Sequence, residues 1–328
     1  MKMIGLRTKY GKSQRVYNSI YPYVDSTLMD KVIKCPLCTS INNSKKFNHY
    51  PGSFLNCYEL IQCLECALIF AYPLPLNKEL NEYYASGLYY DKVSNPFSTG
   101  IIEFSLELAK SRLRLISDHV NFISGMRVID IGAGNAQFST ALNELNDQFI
   151  YDAVEPDSNV SDQYGDLVSN HYYKISQVNK NTYDLAVLNQ VLEHVSDPVE
   201  FLSSVSELIR ERGYVYIDVP YQDYLFKPSV DPHILFWNQT CLKLLAAKTG
   251  FKVYFCDTAG MPHTAAKRFF YGPKNFRQKI SNPWLYQRKI NRLFGKMRLP
   301  KPFNTFRQFQ SDHYSGDRQW LRCIAQKI

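Results

Sequence analysis

From about residue 125 onward, short apolar runs alternate with stretches whose apolar positions recur every three or four residues. The first run, Val128 to Ile131 with Asp130 inside it, breaks into Gly132 and Gly134. Runs of this length bounded by turn residues predict buried strands. A helix is expected next, over Asn135 to Leu145. A second strand lies in "FIYDAVEPD" and finishes at Glu155, and a third is expected near Tyr172 to Ile175. The fourth follows Asp184 and runs to Leu188, where the polar residues Asn189, Gln190, Glu193 and His194 take over. "PVEFLSSVSELIRERG" then reads as a helix, with Pro198 in its first turn, apolar residues at Phe201, Leu202, Val205, Leu208 and Ile209, and Gly213 at its end. "GYVYIDVP" predicts a fifth strand, "NQTCLKLLAAKTG" a further helix, "FKVYFCD" a sixth strand and "WLRCIAQKI" a last one. This alternation predicts an α/β fold with a doubly wound, Rossmann-like parallel sheet.

The turn after the first strand carries the earliest chemical signal. A dinucleotide site asks for GxGxxG, whose third glycine lets the helix pack close beside a pyrophosphate. Position 137 is Gln. The turn still exposes backbone N–H groups, so it suits a nucleoside ligand without a diphosphate. Glu155, about one βαβ unit later, is placed to accept the two hydroxyls of a ribose.

Taken in order, "VIDIGAGNAQF", "VEPD", "LNQVLEHVSDPVEFL", "GYVYIDVP" and "PHILFWNQTCLKLLAAKTGF" resemble the class I S-adenosylmethionine (SAM) dependent methyltransferases, in particular those with "LEH" after strand four. The resemblance covers roughly residues 105 to 257 and the final strand. It implies that Asp130, Gly132 and Gly134 line the methionine end of SAM, that Glu155 holds the ribose, and that Asn189 and Gln190 border the side of methyl transfer.

The cysteines add a second feature. Cys35 and Cys38 form "CPLC", and Cys63 and Cys66 form "CLEC". Paired CxxC turns suit tetrahedral Zn²⁺, because each supplies two thiolates to one edge of the coordination shell. Four thiolates would close that shell, which makes the ion structural. Cys57 and His49, in the intervening loop, are alternative ligands. "CPLCTS" and "CLECALIFAYPLPLNKELNEYY" are similar to the zinc-binding N-terminal module that precedes many sugar methyltransferases. That module usually has glycine after each CxxC. Thr39 and Ala67 stand there instead, where the left-handed backbone costs a residue with a Cβ.

Methyl transfer from a sulfonium is an in-line displacement, and a hydroxyl acceptor must also lose its proton. A histidine suits that role. His194 follows strand four at the carboxyl edge of the sheet, where open α/β folds bind ligands. His233 matches the histidine of an "HxxxF" pattern carried by the resembling sugar enzymes, and Tyr221 and Asp223 follow strand five. Either histidine serves equally as a structural hydrogen-bonding group. Tyr83, Tyr84, Tyr89 and Tyr90 either line a sugar or cofactor pocket or cover a domain junction.

With 328 residues, 45% of them hydrophobic, the chain has material for a domain-sized core and an accessory unit. The expected partition is an extension (1–33), a zinc-binding module (34–73), a helical linker or lid (74–124) and the methyltransferase domain (125–328). No apolar stretch reaches the length of a membrane span and the first residues show no signal-peptide pattern, so a cytoplasmic protein is expected. The net charge is +8, yet residues 258–311 alone carry twelve positive side chains and no Asp or Glu, leaving the remainder at about −4. This basic insertion before the last strand implies an anionic partner, or else a solvated helical cap or dimer contact. Three function classes follow. The leading one is O-methylation of a sugar hydroxyl on a nucleotide sugar or bacterial surface polysaccharide, with C-methylation of a keto-sugar behind it. The others are RNA methylation, with the basic insertion as the grip, and a SAM-binding scaffold without catalysis.

Overall fold

A computed structural model describes residues 32–47, 59–85, 99–145, 148–227, 230, 232–271, 314 and 316–328. Its elements run β1 (Asn43–Phe47), β2 (Glu59–Cys63), β3 (Ile69–Tyr72), α1 (Asn77–Ala85), α2 (Thr99–Ser117), β4 (Arg127–Ile131), α3 (Gln137–Asn143), β5 (Ile150–Val154), α4 (Ser158–Ser161), β6 (Asn170–Tyr172), β7 (Tyr183–Asn189), α5 (Pro198–Leu208), β8 (Ile209–Pro220), β9 (Leu235–Phe236), α6 (Gln239–Lys248), β10 (Phe251–Pro262), α7 (His263–Tyr271) and β11 (Arg318–Lys327).

Seven strands form the main sheet in the order β10-β11-β8-β7-β4-β5-β6. From β8 to β6 the pairing is parallel, and the order reverses between β4 and β7, which creates the crevice where such sheets hold ligands. β11 departs from simple winding, lying antiparallel between β8 and β10. Side-chain alternation explains why these strands read as continuous apolar runs: Val128, Leu185, Val187 and Tyr216 pack toward α2 and α3, while Ile129, Ala186, Leu188 and Ile217 pack with residues of α5 and α6.

Three local expectations needed correction. α3 begins at Gln137, two residues later than read, because Ala136 takes a left-handed conformation (φ 53°) that keeps it out of the helix. The third strand is Asn170–Tyr172, and Ile175–Gln177 forms a 3-10 turn in which the Gln177 side chain accepts from the Tyr173 and Lys174 amides. Gly213 does not close α5. That helix passes directly into β8 at Ile209, and Gly213 lies inside the strand, where a Cβ would come within 2.5 Å of Ile209 Cγ2 and 3.0 Å of the Asp184 carbonyl oxygen. The glycine therefore serves close backbone approach.

A second, four-stranded sheet runs β1-β2-β3-β9. Its first three strands come from the cysteine-rich segment, but β9 comes from "HILFW", far along the chain. Leu37, Leu60 and Phe70 share one continuous core with Trp237, Leu242 and the Ile129 side of the main sheet.

Candidate active site at the carboxyl edge

β4 delivers Asp130 to the crevice, and the chain then turns through Gly132 (φ 73°), Gly134 (φ 54°) and Ala136. A Cβ on Gly132 would stand 2.8 Å from Val191 Cγ2, so this turn is packed against the loop that follows β7. The Asp130 carboxylate accepts a 2.5 Å hydrogen bond from the Tyr151 hydroxyl through Oδ2. Its Oδ1 is buried with no hydrogen-bond partner among the described residues, and so is Asn189 Oδ1 at the end of β7. Two buried acceptors awaiting donors at one strand edge fit the ammonium and hydroxyl groups of an amino acid nucleoside such as SAM.

Glu155, immediately after β5, accepts from the Gly134 amide and the Asp157 amide, each at 3.1 Å. It thereby ties the glycine turn to the second strand. Burial pushes both Asp130 and Glu155 up to about 7, against the hydrogen bonds that favour their ionised forms. Gln190, with φ 58°, turns inward: its amide donates to the Asp218 carbonyl and its side chain to Asp218 Oδ1 at 2.8 Å. Asp218 is fully buried and takes Arg112 Nε at 2.9 Å and Arg322 Nε at 3.1 Å on its other oxygen. Two guanidiniums thus fix one carboxylate, which fixes the loop leaving β7.

The loop after β7 forms a 3-10 turn, Leu192–His194, and brings His194 against His233, with ring centroids 4.9 Å apart. His194 Nδ1 lies 3.4 Å from the Pro232 carbonyl oxygen, and Tyr84 of α1 packs edge-on against its ring at 5.5 Å. His233 Nδ1 is 2.9 Å from Asp223 Oδ2, which Lys227 Nζ also approaches at 2.9 Å. Burial, joined by the neighbouring His233, depresses the His194 pKa well below the imidazole range; burial also lowers that of His233, although Asp223 opposes the shift. Asp223 is itself buried, which alone would raise its pKa, but Lys227 and His233 hold it below the usual carboxylate range. Both imidazoles are therefore neutral near pH 7. Glu193, buried beside them with no hydrogen-bond partner for either oxygen among the described residues, is pushed far upward by burial. Glu193, His194 and His233 also bring potential metal-ligand atoms within 4.8 Å of one another.

The structure thus brings His194 and His233 together. Tyr221 bridges to Trp237 through its backbone, and its carbonyl accepts from His263 Nε2 at 3.0 Å. Asp223 was named from the sequence, but His263 and the pairing of Asp223 with Lys227 escaped sequence reading. The second had a signal in its i, i+4 spacing, whereas His263 sits in the basic stretch with no motif around it.

The four cysteines do converge. Cys35 Sγ lies 3.5 Å from Cys66 Sγ and Cys38 Sγ lies 3.4 Å from Cys63 Sγ; all four sulfurs fall within 4.8 Å, and none forms a disulfide. The two turns repeat one geometry: the amides of Thr39 and Ala67 donate to the carbonyls of Cys35 and Cys63 at 2.9 and 3.0 Å. Thr39 (φ 63°) and Ala67 (φ 62°) adopt the left-handed backbone that glycine ordinarily takes. A hydrogen bond from Cys66 lowers Cys35 to about 5, while the same contact, with burial, raises Cys66. Four sulfurs this close supply the donor set that a tetrahedral zinc shell would use. Cys57, His49, Tyr89, Tyr90 and the basic insertion from residue 272 to 311 lie outside the described residues. Among the described residues, no helix is long and apolar enough to cross a membrane.

Residues 105–254 match the family model described as a methyltransferase domain. Over 114 residues the chain is 25% identical to a ubiquinone biosynthesis O-methyltransferase of Acinetobacter baylyi, an alignment covering 32% of this chain and 48% of the relative. The chain thus spans about half the length of the curated relative it matches. Among solved structures, a SAM-dependent methyltransferase from Archaeoglobus fulgidus is similar at 19% identity, with 68% of this chain and 94% of that one covered and a TM-score of 0.44. A phosphoethanolamine N-methyltransferase 2 of Haemonchus contortus, in complex with S-adenosyl-L-methionine, is similar at 13% identity, with 79% and 61% covered and a TM-score of 0.46. Residues 105–254 are thus similar to a methyltransferase domain.

Proposed function

We propose that the whole chain acts as a SAM-dependent methyltransferase that O-methylates a sugar hydroxyl, on a nucleotide-linked sugar or a surface polysaccharide, and carries a structural zinc ion on Cys35, Cys38, Cys63 and Cys66. One observation supports it above the others. A buried acid with one oxygen awaiting a donor (Asp130), a second buried acid that holds the glycine turn (Glu155) and an imidazole oriented by a carboxylate (His233) share the carboxyl edge of a single sheet. The sugar assignment draws its support from the resemblance of the cysteine module to that of sugar enzymes.

When bound, SAM supplies a sulfonium methyl group to a nucleophile aligned behind it. Glu155 holds the ribose hydroxyls, and Asp130 and Asn189 receive the ammonium end, with the glycine turn giving room for close approach. On the acceptor side, Asp223 faces His233 Nδ1, which keeps the ring proton there and leaves Nε2 to take the proton of the attacking hydroxyl. The imidazolium so formed is stabilised by the same carboxylate. His194 shields the pair and packs on Tyr84. Cys35, Cys38, Cys63 and Cys66 would hold the zinc with four thiolates, which would give it a structural role.

Incubation of the chain and SAM with nucleotide sugars, glycan fragments and tRNA, followed by assay of S-adenosylhomocysteine, tests this reading. Release with a sugar acceptor is expected. Release with tRNA alone would favour the RNA reading, for which the twelve positive charges of residues 258–311 are the supporting observation. Tight SAM binding with no acceptor turned over would leave the scaffold.

A further inference from the structure

His233 stands two residues before β9, and β9 belongs to the cysteine module's sheet. One edge of this segment is bonded to the module. Ile69 and Phe70 of β3 pair with Phe236 and Leu235, and the Ala71 amide donates to the Ile234 carbonyl at 2.8 Å. The opposite side is bonded to the catalytic loop: the Ile234 amide donates to the Glu193 carbonyl at 2.8 Å, and Pro232 supplies the carbonyl that faces His194. A two-residue strand has no stability of its own, so its position is inherited from β3.

The segment's last link is Asn238. Its Nδ2 donates to the carbonyl of Ala67 at 2.9 Å, and Ala67 is the left-handed residue that closes the second CxxC turn. Its Oδ1 meanwhile accepts the Cys241 amide at 3.0 Å and caps α6. One side chain thus joins the metal-binding turn to the helix that follows the histidine segment.

Resting on the reading of His233 as the base, we propose that the four-cysteine module positions that histidine, with Asn238 as the positioning residue that couples the second CxxC turn to it. A closed turn presents the Ala67 carbonyl to Asn238, aligns β3 with β9 and holds His233 against Asp223. An open turn removes both supports, and the acceptor side loses its register while the cofactor side, built from β4 and β5, keeps its own. The left-handed backbone at Ala67 works against the closed turn, and a metal on Cys63 and Cys66 would hold it closed.

Hydrogen exchange is the direct test. The purified full chain is expected to carry about one equivalent of zinc by elemental analysis. Its removal under reducing conditions with a chelator, or Cys63→Ser with Cys66→Ser, should speed amide exchange over residues 234–237 by about tenfold or more. Exchange over 127–131 and 150–154, and SAM affinity by calorimetry, should stay within roughly twofold. Unchanged exchange at 234–237 after the metal has left would overturn the proposal. Asn238→Asp separates coupling from capping, since it keeps the cap acceptor and replaces the donor to Ala67 with an oxygen that the Ala67 carbonyl repels. The expected result is a lower kcat and an altered kcat–pH profile at unchanged SAM affinity and zinc content. A profile equal to that of the unaltered chain would show that Asn238 serves only the cap. The exchange readout is independent of turnover, so failure of His233 as base, seen as full activity in His233→Ala, is distinguishable from failure of the coupling.

Discussion

The two ends of the site are both governed by burial, yet burial acts on them in opposite chemical senses. At the cofactor end it drives Asp130 and Glu155 toward their protonated forms, up to about 7. At the acceptor end it drives His194 and His233 toward their deprotonated forms. Burial thus works against charge on these four groups, while Lys227 and His233 favour the ionised form of Asp223 beside them. A ligand that brings donors would favour the charged form of the acids, whereas burial alone favours the base form of the imidazoles. The lesson is that one low-dielectric edge prepares a binding function and a base function together, and that the adjoining groups decide which is which.

The largest effect should come from breaking the acceptor end. His233→Ala is expected to lower turnover by about 10² to 10⁴ with SAM affinity nearly intact, because loss of a general base acts on the transition state. Turnover and calorimetry on the same folded variant check this, and full activity would pass the base role to His194 or Tyr221. Breaking the cofactor end should do the reverse. Glu155→Ala removes charge-assisted hydrogen bonds worth about 1.5 to 3 kcal/mol each, so SAM affinity should fall by at least about tenfold. Unchanged calorimetric affinity would sink the ribose assignment.

Acidity sharpens the contrast. The folded-state value of Glu155 is raised, so as pH falls through about 7 the carboxylate gains its proton and SAM binding weakens, by up to about tenfold per pH unit. His233 is lowered, so its base form survives below the ordinary imidazole range. On acidification KM for SAM should therefore rise before kcat at saturating SAM declines. Simultaneous loss of both below pH 7 would contradict the separation. In the SAM-free chain the raised acids bind more protons folded than unfolded, so their contribution to stability is present in acid and is lost as pH rises through about 7.

The smallest effect belongs to the turn itself. Gly132→Ala forces a Cβ into a left-handed residue 2.8 Å from Val191 Cγ2, which should cost about 1 to 2 kcal/mol in stability. A drop in thermal midpoint without lost SAM binding would place the cost in the fold alone.

Much of this site was legible in the sequence because its parts are periodic or closely spaced. The strands bearing Asp130, Glu155 and Asn189 are continuous apolar runs, and each CxxC turn is local. What could not be read depends on distant pairing. β9 is only Leu235–Phe236, too short to show any period, and its partner Ile69–Tyr72 lies in another part of the chain. Gly213 looked like a helix stop because the same residue type serves turns and close backbone contacts, and only the neighbouring Asp184 and Arg210 carbonyls distinguish the two. The contact between His233 and Asp223 likewise needed the fold to bring a loop back on itself.

The place of β11 carries a consequence for the order of assembly. β4 to β8 can pair as they emerge during synthesis, and β9 can join the cysteine module soon afterward. β10, however, hydrogen-bonds to no strand except β11 among those described, so it has no ladder to join until residues 318–327 have left the ribosome. The same late strand brings Arg322, one of the two guanidiniums that neutralise buried Asp218. A nascent chain can therefore form the crevice between β4 and β7 early and lock the loop behind it later, with the backbone edge of β8 that β11 will cover left unpaired in the interval.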